Sequence, residues 1–152
     1  MIYVGFKKEA NPMKVKDLMS TSIVSARPEM SIVEVAKRMR QADVGAIPVC
    51  DDRGRVLGIV TDRDIVIRGL SGDDHPSTAG EIMTMDPVYA TPNMNTHQAT
   101  LLMAKHQVRR LPVVENDRLI GFLSMADIAR KRIYVDEAGD ALSAISKVGT
   151  FH

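Results

Sequence analysis

The chain has 152 residues, 20 Lys+Arg against 19 Asp+Glu, and 45 % hydrophobic residues. That balance fits a globular chain with a sizeable core and excludes disorder, a dedicated basic nucleic-acid binder and a membrane helix, which needs a run of ~18 apolar residues. Cys50 is the single cysteine, which excludes an internal disulfide or Cys-rich zinc site and suits a reducing compartment.

At the N-terminus, Lys7 and Lys8 follow a short apolar stretch instead of preceding it. This is the wrong order for a secretory signal, so a cytoplasmic protein is expected. An internal repeat organises the rest. Residues 15–52 lie over 79–116 at an offset of 64, pairing Met19/Met83, Met39/Met103, Pro48/Pro112 and Val49/Val113. A one-residue deletion near Gly54 shifts the offset to 63, and the register resumes with Gly58/Gly121 and Asp64/Asp127. The segment SGDDHPSTAG (71–80) joins the copies and has linker composition. Two copies are too few for a solenoid, so a closed pseudo-twofold pair is expected.

Each copy opens with a short strand, Ile23–Ala26 or Val88–Ala90, running into Arg27-Pro28 or Thr91-Pro92. A helix follows. In the first copy Ser31 is the expected N-cap with Glu34 completing a capping box, and Ile32, Val35, Ala36 and Met39 form an apolar stripe. In the second, Asn95 and Gln98 take the capping places above a weaker stripe of Ala99, Leu102 and Met103. A hairpin comes next, Ala46–Cys50 with Val56–Val60, or Leu111–Val114 with Leu119–Leu123. A second helix starts after Thr61 or Ser124, and in the first copy Gly69 reads as its C-cap. The order is β-α-β-β-α, twice. The expected fold class is α/β of the α+β type.

The junction of hairpin and second helix repeats as Gly58-Ile-Val-Thr61-Asp-Arg-Asp64 and Gly121-Phe-Leu-Ser124-Met-Ala-Asp127. A single [ST]-x-x-D is ordinarily a helix start, because hydroxyl and carboxylate cap the first turn. The same geometry suits a nucleotide. A helix N-terminus attracts phosphate, and a carboxylate accepts from ribose hydroxyls. Two copies in register, with Ile47-Pro48-Val49 and Leu111-Pro112-Val113 upstream, favour the binding reading.

With these phrases, VGAIPVCDDRGRVLGIVTDRDIVIRGL and VRRLPVVENDRLIGFLSMADIARK, the sequence resembles the CBS domain family. It looks like a tandem pair, or Bateman module, occurring as a standalone bacterial protein, over residues 14–133. The resemblance implies CBS repeats at 14–71 and 78–133 packed about a pseudo-twofold axis, a linker at 72–77, an arm at 1–13 and a tail at 134–152. It implies adenosine nucleotides as ligands, AMP ahead of ATP, ADP or NAD, and no required cofactor. In one cleft Asp64 would bind ribose, Thr61 phosphate or ribose, and the Val88 backbone adenine. Arg109 and Arg110 would hold phosphate there. The other cleft would combine Ser124 and Asp127 with Val24, Gly45 and Ala46.

The resemblance further implies a homodimer, with Ile32, Val35 and Met39 and the stretch Ile65 to Ile67 supplying apolar area, and a protein partner that reads the bound state. The competing reading is a structural dimerisation module with degenerate ligand sites. The module also occurs as an insert in IMP dehydrogenase, but this chain has no room for a catalytic barrel of ~250 residues, and no enzyme activity is expected. His75, His97, His106 and His152 show no metal spacing, so no metal site is expected. No membrane or nucleic-acid partner is expected either. Met19, Met39, Met83 and Met103 recur in register and read as core or subunit packing. Arg130, Lys131 and Arg132 read as a solvated helix end, and a short helix over Ala138–Lys147 is expected in the tail.

Overall fold

The computed structural model describes residues 13–130. Residues 1–12 of the N-terminal arm, Lys131, Arg132, the tail helix and His152 lie outside the described residues. The elements are α1 (Val15–Leu18), α2 (Ile32–Ala42), β1 (Ala46–Cys50), β2 (Val56–Thr61), α3 (Asp62–Asp64) with a π-helical continuation (Ile65–Leu70), α4 (Ala79–Ile82), β3 (Thr84–Met85), α5 (Thr96–His106), β4 (Arg110–Glu115), β5 (Arg118–Ser124) and α6 (Met125–Ala129). Helices and strands mix as the α+β reading requires.

Helix α2 starts where a hydroxyl can take the first free N–H groups: Ser31 Oγ accepts from Glu34 N–H at 3.0 Å. The return half of the expected box does not form, because the Glu34 carboxylate faces Arg38 at 3.7 Å instead. Helix α5 has the complete box, with Asn95 and Gln98 bonding each other's backbone at 2.7 and 3.0 Å. Both helices end on a left-handed residue, Asp43 (φ 55°) and Gln107 (φ 57°). Of the first stripe, Ile32, Val35 and Met39 are buried, whereas Ala36 is exposed at the stripe's edge. In α5, Thr96 and Thr100 join Ala99 and Met103 in the interior. Thr100 is accommodated there because its hydroxyl donates to the Thr96 carbonyl at 2.8 Å.

The hairpin of β1 and β2 is antiparallel, Ala46 opposite Thr61 and Val49 opposite Gly58, with an irregularity between Val49 and Cys50. β3 extends this sheet along β2, and β4 pairs with β5. The expected opening strands shrink to one residue each. Ala26 bridges Val49, and Ala90 bridges Val113, both parallel. Each alanine uses its N–H and its C=O on the neighbouring strand, at 2.9 Å throughout, before the following proline stops further pairing. Gly69 is likewise not a C-cap. It lies inside the π-helical stretch, which closes at Ser71.

Two compact units result. One holds Ser22–Pro87 with Asn116–Leu119, and the other joins residues 13–21 to Val88–Glu115 and 120–130. The first is built on Ile32, Val35, Met39, Ile47, Val49, Val60, Ala79 and Ile82. The second is built on Val15, Ala99, Met103, Leu111, Val113, Leu123, Met125 and Ile128. Helix α1 therefore docks on elements far along the chain: Val15 N–H donates to the Met94 carbonyl at 2.8 Å, and Thr96 N–H to Met13 at 3.0 Å. Helix α4 docks equivalently, Ala79 N–H donating to Met30 at 2.8 Å. The thioethers of Met19 and Met83 then lie over Gly121 and Gly58. Ile32, Val35 and Met39 are spent on their own core and cannot form a subunit face. Val33, Val66, Ile67 and Leu70 are the exposed apolar residues of that region.

Candidate functional site

Both repeated junctions form the same local structure. Thr61 ends β2, its Oγ1 accepting from Asp64 N–H at 3.1 Å while Asp64 Oδ2 accepts from Thr61 N–H at 2.9 Å. Ser124 ends β5, its Oγ accepting from Asp127 N–H at 3.0 Å while Asp127 Oδ2 accepts from Ser124 N–H at 2.8 Å. The capping reading and the binding reading are thus compatible, since capping uses only one oxygen of each carboxylate. The side chains of Asp64 and Asp127 are 13 % and 14 % exposed.

A backbone bond ties each junction to the residue leading into the preceding strand. Asp62 N–H donates to the Gly45 carbonyl at 2.9 Å, and Met125 N–H to the Arg109 carbonyl at 2.7 Å. The structure therefore brings Thr61, Asp64, Gly45 and Ala46 together in one unit, Ala46 being the direct strand partner of Thr61. It brings Ser124, Asp127 and Arg109 together in the other, where Arg110 opens β4. Val24 is half-buried in the first unit, beside Ser25, whose carbonyl accepts from Arg38 Nη1 at 2.7 Å. Val88 is half-buried in the second, two residues before the Ala90 bridge.

The two junctions differ in charge. Asp62 is acidic and exposed, and its Oδ2 lies 3.1 Å from where a Cβ on Gly45 would sit. Its counterpart Met125 is buried beside the exposed Arg109 and Arg110. Two further residues join the sites. Arg68 Nε stands 4.0 Å from Asp64 Oδ1, and Arg130 is hydrogen-bonded to Asp127 Oδ1. Arg68 is not among the expected site residues, and Arg130, expected as a solvated helix end, is exposed but pairs with Asp127, although Asp-to-Arg spacings of i, i+4 and i, i+3 on a helix are a readable signal.

Cys50 is buried at the end of β1. Burial, reinforced by Asp51 and opposed by Arg27, pushes its thiol up to about 11. The folded chain then holds this proton more tightly than the unfolded chain. The stabilisation is complete below pH 9.0 and is lost as pH rises toward about 11. We expect the urea midpoint of the wild type to fall across that window more steeply than that of Cys50→Ala; parallel curves would contradict the burial argument.

Among the described residues, no three His, Cys, Asp or Glu side chains gather as a metal site, and no helix is long and apolar enough to cross a membrane. Comparison with known proteins decides the family. The CBS domain profile matches residues 15–70 and 79–134. This chain belongs to the CBS domain family. The CBS domain-containing protein YhcV of Bacillus subtilis is 41 % identical over 133 residues, covering 87 % of this chain and 94 % of YhcV. Hypoxic response protein 1 of Mycobacterium tuberculosis is 38 % identical over 117 residues, 76 % of this chain and 82 % of that protein. A crystal structure of hypoxic response protein I with two coordinated zinc ions superposes with a TM-score of 0.71 over 78 % of this chain and 98 % of that one.

Two solved CBS proteins carry adenosine ligands. The CBS domain pair of MJ0100, with 5′-methylthioadenosine and S-adenosyl-L-methionine, is 29 % identical at a TM-score of 0.72 and covers 78 % of this chain and 94 % of that one. CBSX2, in complex with AMP, is 25 % identical at 0.71 and covers 81 % and 98 %.

Proposed function

We propose that this tandem CBS protein is a regulatory module that binds an adenosine nucleotide, with AMP ahead of ATP, ADP or NAD, and passes a conformational change to a protein partner. The observation that carries this reading is the duplicated junction. Each junction sets a hydroxyl and a carboxylate at the start of a helix, and capping consumes only one carboxylate oxygen. The adenosine complexes of its relatives support the choice of ligand class. In this reading Asp64 and Asp127 take ribose hydroxyls, and Thr61 and Ser124 take phosphate or ribose. Arg109 and Arg110 hold phosphate. Val24, Val88, Gly45 and Ala46 shape the adenine and sugar surroundings. The module acts as a cytoplasmic homodimer, using Val33, Val66, Ile67 and Leu70 in place of the core residues Ile32, Val35 and Met39. A ligand can shift such a module only by binding its two states unequally.

A thermal-shift panel of AMP, ADP, ATP, NAD and S-adenosylmethionine tests this. Ligand at ~100 times its Kd adds about 2.7 kcal/mol, which raises the midpoint by several degrees in a chain of this size. One responding adenosine ligand supports the sensor. Silence across the panel overturns it in favour of a structural dimerisation module, the reading favoured by the arginines already paired with both carboxylates.

A further inference from the structure

Arg68 makes two contacts at once. Its Nε lies 4.0 Å from Asp64 Oδ1, and its Nη1 donates to the Ile82 carbonyl at 3.1 Å and to the Met83 carbonyl at 3.5 Å. Ile82 and Met83 are the last residue and the C-cap of α4, whose closing bond runs from Met83 N–H to the Ala79 carbonyl at 2.9 Å. One guanidinium thus spans the carboxylate of the first junction and the C-terminal end of a different helix in the same unit. A cation there satisfies carbonyls that a helix end leaves without intrahelical donors.

We infer that Arg68 is a positioning residue that couples occupancy of the Asp64 carboxylate to closure of helix α4. The inference rests on the reading of Asp64 as the ribose carboxylate. Asp64 Oδ2 already accepts from Thr61 N–H, which leaves Oδ1 as the less committed oxygen for a ribose hydroxyl. The Asp64 side chain is only 13 % exposed, and Arg68 Nε lies 4.0 Å from that oxygen. Sugar and arginine therefore compete for one face. When the sugar wins, Arg68 leaves the carboxylate, and its geometry on the Ile82 and Met83 carbonyls is lost with it. Arg68 itself is half exposed, so it is free to move and its removal leaves the core intact. The second repeat has no equivalent device among the described residues. Arg130 sits one turn from Asp127 at the end of the same short helix, and its guanidinium is hydrogen-bonded to Asp127 Oδ1.

The test uses the full chain and two readouts. Without ligand, amide exchange at Met83 is followed in wild type, Arg68→Ala, Asp64→Asn and the double variant. Coupling requires that each single change speed exchange by roughly three-fold or more and that the double change add little to either. Unchanged Met83 exchange in Arg68→Ala, or additive effects, overturns the coupling. In the second readout AMP is titrated by calorimetry. Arg68→Ala is expected to bind AMP roughly two- to five-fold more tightly, because a half-exposed competing ion pair has been removed. Exchange at Met83 in wild type is expected to rise with AMP, whereas in Arg68→Ala it is high from the start and insensitive to AMP. Equal or weaker binding by Arg68→Ala overturns the competition. If the wild type binds no AMP, the ligand reading of Asp64 fails, and with it the claim that a sugar drives Arg68; the ligand-free exchange then reports the ion-pair coupling separately.

Discussion

Gly121→Ala lowers the unfolding midpoint by roughly 3–10 °C, and Gly58→Ala does the same. A Cβ on Gly121 would sit 2.6 Å from Met19 Sδ and 3.0 Å from the Ser20 carbonyl oxygen. On Gly58 it would sit 2.6 Å from the Thr84 carbonyl oxygen and 2.8 Å from Met83 Sδ. A methionine side chain can swing away, but a strand backbone cannot. Ser20 is held to Phe122 by a pair of 2.9 Å bonds, and Thr84 lies in register with Ile59. Overpacking of this kind costs typically 1–3 kcal/mol, and each kcal/mol is worth about 2–4 °C in a chain of this size. Differential scanning calorimetry of both variants checks this. Gly72→Ala is the control, since the nearest atom there is 4.0 Å away. A midpoint for Gly121→Ala equal to that of the control would refute the close-approach argument.

The second large effect concerns ligand affinity. In calorimetric titration with AMP, Asp64→Ala loses measurable binding and Arg109→Ala weakens it by roughly 10- to 100-fold, the range of one charge-assisted hydrogen bond. Ser124→Ala weakens it far less. The Arg109 side chain is exposed, and its structural contribution to the junction is its carbonyl, which Met125 N–H keeps in the alanine variant. Loss of affinity in Arg109→Ala is therefore loss of the guanidinium. Ser124→Ala instead removes a helix cap, which shows as about 1 kcal/mol of stability. Equal losses of affinity in Arg109→Ala and Ser124→Ala would refute the phosphate role given to the Arg109 guanidinium.

What could be read from the chain follows from which signals are local. Capping is local, and both junctions and both helix starts stand where the sequence puts them, apart from Glu34, which Arg38 draws away. Alternation is local, and the hairpins match to within a residue. The opening strands are over-read because a following proline marks a preference for extension, whereas pairing needs a partner, and only Ala26 and Ala90 have one. The π-helical stretch after Asp64 leaves no periodic mark, and Gly69 within it imitates a cap. Val15 and Ile82 are fully buried, yet they stand outside both apolar stripes that the sequence shows. Their partners lie tens of residues away, so the docking of α1 and α4 is a tertiary fact. For the site, residue types are legible from the repeat; the two arginines on the carboxylates carry only the weaker signal of their helical spacing from Asp64 and Asp127, which surface charges often share.

The docking of α1 has a consequence for the order in which the chain can mature during synthesis. The unit holding Ser22–Pro87 is nearly continuous, so its core can close soon after residue 87 leaves the ribosome. The other unit cannot. Val15 is among the first described residues to be made, yet it shares a core with Ala99, Met103 and Leu123, which are made far later. The segment 13–21 must wait for its partners in the second half of the chain, and only this long-range closure places Met19 over Gly121.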